Sequence, residues 1–158
     1  MNESNAALFV RLLKEGETSK EKLYELLLKI TDSHKTFYEF VNYVVDVYGR
    51  VNFYERVKAE LVNLKRAYSL CYSIQVAFSN ILRYDWGSGD NYWLVIWDIF
   101  SSNCLTLTSE LFYICFPEFV NEMPEDKSFD DYWWDYDNLS PRIECVNNII
   151  EKLKDKGE

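Results

Sequence analysis

The strongest constraint on this chain is one apolar series, Phe53, Val57, Leu61, Leu64 and Tyr68, set four and three residues apart. An α-helix turns about every 3.6 residues, so this spacing lines one helical face, whereas a strand would scatter it over two. The pattern recurs along most of the chain. Leu8, Leu12 and Leu13 predict a helix over about 4–14, stopped at Gly16. Thr18 and Glu21 stand at capping-box spacing before a second helix to about residue 30, with Leu23, Leu26, Leu27 and Ile30 on one face. Asp32 or Ser33 caps a third helix carrying Phe37, Phe40, Val41, Val44, Val45 and Tyr48, which Gly49 ends. Asn52 is expected to open the fourth, and 70–82 either continues it or forms a kinked partner.

After a turn at Trp86-Gly87-Ser88-Gly89-Asp90, residues 91–102 are apolar nearly all round, which predicts a buried helix. The β-branched content at Leu94-Val95-Ile96 leaves a strand open over 92–100. Thr108 or Ser109 opens a short helix running up to Pro117. Ser140-Pro141 reads as the start of the last helix, since proline at the first helical position gives up only an orphaned amide. Ile143, Val146, Ile150 and Leu153 follow, and Lys152, Lys154 and Lys156 complement the dipole at its end. Strand alternation is weak everywhere, and neither repeats nor long linkers occur. The expectation is an all-α protein: one compact domain over 1–158, a bundle of about six to seven helices with an acidic aromatic loop before the C-terminal helix.

Composition narrows the function. Acids exceed bases by 26 to 17, a net charge of −9, which repels phosphate backbones and favours basic partners. The densest basic stretch, Arg56, Lys58, Lys65 and Arg66, is interleaved with Glu55 and Glu60 and reads as a solvated helix face. Cys71, Cys104, Cys115 and Cys145 lie far apart, and His34 is the only histidine, so zinc and redox motifs fail on ligand arithmetic. Apolar neighbours mark the cysteines as reduced core residues. No basic segment leads an apolar run at the N-terminus, and the window 92–100 is too short to span a bilayer and contains Asp98. A cytoplasmic location follows as the expectation.

Catalysis finds little support. There is no phosphate-cradling glycine loop, a Ser or Cys nucleophile would depend on His34 alone, and no cysteine has basic neighbours to lower its pKa. Asp130, Asp131, Asp135 and Asp137 lack the glycine and closing glutamate of a calcium loop. No metal, cofactor or enzymatic role is therefore assigned.

The segment that stands out is Asp130, Asp131, Tyr132, Trp133, Trp134, Asp135, Tyr136 and Asp137. From 122 to 137 there are seven acids and one base, and adjacent tryptophans cannot easily share one environment. Either the rings pack over helix ends with the acids facing water, or they anchor a basic protein partner, with acids imitating phosphates. Arg142, just beyond, either pairs with Asp135 or Asp137 or joins Trp134 and Tyr136 in clamping a small anion such as a nucleotide.

Leu70-Cys71-Tyr72, the Trp133-Trp134-Asp135-Tyr136-Asp137 segment, Ser140-Pro141-Arg142-Ile143-Glu144 and the helix carrying Ile149, Ile150 and Leu153 together resemble small uncharacterised accessory proteins of tailed phages and prophages. The resemblance covers roughly the second half of the chain and transfers no binding residue; the aspartates depart from it. It implies a setting in which such proteins inhibit or sequester components of host defence. The leading expectation is thus a non-enzymatic inhibitor of the anti-defence kind, docking its acidic-aromatic surface on a basic host protein within a nucleic-acid-processing or immune complex. The alternatives are a protein that sequesters a nucleotide signal and a structural homo-oligomer built on the 53–68 or 143–153 stripes.

Overall fold

The computed structural model describes residues 3–16, 20–30, 32–64, 70–87, 109–128, 132 and 139–157. Among them lie seven α-helices and no strand: α1 (Asn5–Lys14), α2 (Lys20–Ile30), α3 (His34–Tyr48), α4 (Arg50–Leu64), α5 (Leu70–Asn80), α6 (Ser109–Cys115) and α7 (Leu139–Asp155). The protein is all-α. No helix of the described residues is long and apolar enough to cross a membrane. The window 92–100, the Thr18 half of the expected capping box, Tyr68, the Lys65/Arg66 pair and Cys104 lie outside the described residues.

Local chemistry sets the helix ends. Ser4 caps α1 by accepting from the Ala7 amide at 3.1 Å. Ser33 caps α3 through a reciprocal box, its Oγ accepting from the Thr36 amide while its own amide donates to Thr36 Oγ1, each at 3.2 Å. Gly49 ends α3 at φ +97°, a region that disfavours any residue with a Cβ. The Gly49 carbonyl at once accepts from the Phe53 amide at 2.8 Å, so α4 begins at Arg50, two residues before the expected Asn52. Asn52 instead serves the preceding helix, its Nδ2 donating to the Tyr48 carbonyl at 3.2 Å. The last helix likewise starts earlier than expected, at Leu139. Pro141 then falls third, still within the turn whose amides have no intrahelical acceptor.

The helices meet around one cluster of buried side chains drawn from all seven. Helix α4 packs along α7 and beside α5 and α3; α3 also meets α1, α2 and α6. Phe53, Val57 and Leu61 of the opening stripe are wholly buried, as are Leu23, Val44 and Val146 on their own helices. Ring contacts tie distant segments together: Phe9 meets Phe40 and Phe40 meets Phe78 edge-on, at 5.7 and 5.6 Å. Phe53 stacks on Phe116 at 5.9 Å, and Tyr54 meets Phe119 at 5.6 Å. Helix α5 runs into a π-helical turn, Ile81–Asp85, closed by the Trp86 amide on the Ile81 carbonyl at 2.8 Å.

That turn corrects one expectation. The Arg56 and Glu60 face of α4 is not a solvated surface: Glu60 is 6% exposed and accepts from Arg56 at 2.9 Å and from Asn80 Nδ2 at 3.0 Å. Arg56 also lies 3.3 Å from Asp85, which accepts from the Tyr48 hydroxyl at 2.7 Å. The wider turn brings Asp85 within reach of α3 and α4, so an apparent surface charge pattern is consumed in holding three elements together.

Candidate functional site

The acidic aromatic segment is described at its leading end. Chain 117–128 runs from a 3-10 turn, Pro117–Phe119, whose Phe119 is wholly buried. Proline at its first position stops α6, and the turn swings Glu118 toward the start of α4. There Arg50 Nε donates to Glu118 Oε1, while its other nitrogens reach Asp46 at 2.7 Å and the Cys115 carbonyl at 3.3 Å. Both partners are largely withdrawn from water, with side-chain exposures of 16% and 13%. The Tyr54 hydroxyl is fully buried beside them without a well-aligned hydrogen bond. Burial, then the Glu118 charge, holds that phenol well above the ordinary tyrosine range.

Further along, Glu122 accepts from Lys152 Nζ at 2.8 Å, tying the segment to α7. Glu125 and Asp126 face water. Tyr132, whose amide donates to the Ser128 carbonyl at 3.1 Å, lies half-buried against the core. The Arg142 guanidinium sits over its ring, 5.2 Å from the centroid. Arg142 itself is 3% exposed. A planar cation over an aromatic face is held by the ring quadrupole, and burial strengthens the attraction by excluding water. Burial raises the Tyr132 phenol, with Cys145 adding to the rise and the Arg142 charge opposing it. Cys145, on the next turn of α7, is pushed up to about 12 by burial and then by Glu122.

Of the residues singled out from sequence, the structure therefore brings Tyr132 and Arg142 together, one expected at a partner surface and the other in a ligand clamp. Asp130, Asp131, Trp133, Trp134, Asp135, Tyr136 and Asp137 lie outside the described residues. Sequence reasoning missed the Arg50–Glu118 and Lys152–Glu122 pairs. Their members stand 68 and 30 positions apart, beyond any local spacing rule. The one usable signal was Pro117, which forces a turn directly before Glu118.

No protein-family model matches the chain, and neither a curated protein nor a solved structure matches it.

Proposed function

We propose that this is a non-enzymatic binding protein that docks the acidic aromatic segment of 130–137 on a basic protein partner. The observation that carries the reading is the Tyr132–Arg142 stack, which fixes the start of the segment on α7. A segment held at its root loses less conformational freedom on docking than a free loop, and that economy appears directly in affinity. The Glu118–Arg50 and Glu122–Lys152 pairs tether the chain leading into it.

Charge supports the same reading. Arg11 is shared between Glu3 and Glu15, Arg56 between Glu60 and Asp85, and Lys154 lies 3.5 Å from Glu55. With these cations engaged and a net charge of −9, the chain offers a field that draws basic partners. A host-defence or nucleic-acid-handling protein is the partner class consistent with the phage resemblance. Buried over Tyr132, Arg142 fits an anchoring role better than a nucleotide clamp with Trp134 and Tyr136. The stripes a homo-oligomer would use, Phe53, Val57 and Leu61 or Val146, Ile150 and Leu153, are buried within the chain.

The test compares the native chain with a Trp133→Ala/Trp134→Ala variant in capture from a bacterial lysate, across a salt series. The expected result is a basic protein retained by the native chain, released as salt rises, and lost with the variant at unchanged helical circular dichroism. Equal capture by both chains would refute the assignment of the interface.

A further inference from the structure

At the far end of α7 three cations gather at one cleft. This cleft of about 340 Å³ opens between the 3-10 turn, the start of α4 and the last turns of α7. Its charged lining is Arg50, Lys152 and Lys156 with Glu118; Asp46 and Glu122 meet Arg50 and Lys152 from beside the lining, which leaves the charge of Lys156 uncompensated among the described residues. Pro117, Ile149 and Leu153 supply an apolar lining beside them.

The four charges are not equivalent. Arg50 is committed to Glu118, Asp46 and the Cys115 carbonyl, so it and Glu118 form a fixed wall. Lys152 reaches Glu122 while remaining 62% exposed, and Lys156 makes no ion pair among the described residues. Lys152 and Lys156 stand four apart at the end of α7, so both ammonium groups can reach one anion. Three of the last four carbonyls of α7, which would oppose an anion, are met from within the chain. The Lys156 amide donates to the Lys152 and Leu153 carbonyls at 3.3 and 3.1 Å, and the Gly157 amide to Lys154 at 3.0 Å. Gly157 permits that closure at φ +85°.

We propose that this cleft binds a small organic monocarboxylate, its carboxylate between Lys152 and Lys156 and its short apolar stem against Pro117, Ile149 and Leu153. The volume sits at the small end of ligand pockets, roughly 300–1,000 Å³, and has room for a short apolar stem. One charge matches the two mobile ammonium groups, one of which already serves Glu122. The site borders Pro117 and Glu118, on the chain that leads into the acidic segment.

Calorimetric titration of the full chain with hexanoate tests it, with hexylamine as the charge-reversed probe. Saturable hexanoate binding at one site is expected, and none by hexylamine. Lys152→Gln/Lys156→Gln should weaken hexanoate by about tenfold or more, the loss of a charge-assisted contact. Lys152→Arg/Lys156→Arg should retain it, and Lys154→Gln should leave it unchanged. No saturable hexanoate binding, equal binding of hexylamine, or undiminished affinity in the double Gln variant at native helicity would overturn the proposal.

Discussion

Two arginines of this protein are set in the same company and used in different ways. Arg50, at the start of α4, is grouped with Tyr54, Cys115 and Glu118; Arg142, near the start of α7, with Tyr132, Cys145 and Glu122. In both groups burial pushes the thiol up to about 12 and raises the phenol. The difference is what the guanidinium faces. Arg50 directs its N–H groups at carboxylate and carbonyl oxygens from α3, α6 and the 3-10 turn, so its position is set by several directional bonds at once. Arg142 lies over the face of Tyr132, 5.2 Å from the ring centroid. A ring face accepts a cation over a broad range of positions, whereas a carboxylate fork does not. The first arrangement fixes how helices meet; the second joins Tyr132 to α7.

The largest effect should come from what the two groups share. Cys115 and Cys145 titrate near 12 in the folded protein against 9 for a free thiol, and Tyr48 near 12 against 10. Their folded pKa values are raised, so above pH 9 the unfolded chain binds fewer protons than the folded one. Stability from these groups is therefore complete below pH 9 and lost as pH rises toward 12, with each thiol responsible for up to roughly 4 kcal/mol. Urea melts from pH 7 to 11 check this. Cys115→Ala and Cys145→Ala should each lower the alkaline slope by up to about 1.4 kcal/mol per pH unit. A reduction confined to one variant would break the parallel and show that neighbouring charge, not burial, governs one thiol.

Next comes the contrast itself. Arg50→Met leaves Glu118 with its side chain 13% exposed and without its cation, which should cost on the order of 3 kcal/mol in a denaturant melt. Adding Glu118→Leu should restore much of the loss, because an apolar pair replaces a half-satisfied ionic one. Additive losses in the double variant would mean that the two side chains are not energetically coupled.

The fold was readable where one face of a helix answered to one core. The α3 stripe from Phe37 to Val45 is buried as its spacing predicted, and Ser33 and Gly49 bound the helix as their chemistry requires. Legibility failed where a residue serves an element other than its own. Asn52 looks like the start of α4 and caps α3; Glu60 looks solvated and is buried, accepting from Asn80 at the end of α5. The site was half legible for the same reason. Tyr132 and Arg142 were each conspicuous by type, but a contact between separate segments carries no periodicity. Nothing in the spacing of Glu118 or Glu122 names Arg50 or Lys152 as its partner.

The smallest effect should be at Arg142. Arg142→Met keeps much of the side chain's bulk and removes the charge above Tyr132, at a cost of about 2 kcal/mol. Its clearer signature is electrostatic. The Arg142 charge lowers the Tyr132 phenol against the rise that burial imposes, so the variant should titrate Tyr132 at higher pH. Tyrosine-labelled NMR, with Tyr132→Phe to assign the resonance, reads that shift directly. Tyr132→Phe preserves the ring face and should lose little stability, whereas Tyr132→Leu should lose the stack and match Arg142→Met. If Arg142→Met instead costs as much as Arg50→Met, the second arginine is a joint of the scaffold like the first. The acidic segment would then begin on a structural hinge rather than on a surface anchor, and its aromatic residues would be sought within the core instead of at a partner's groove.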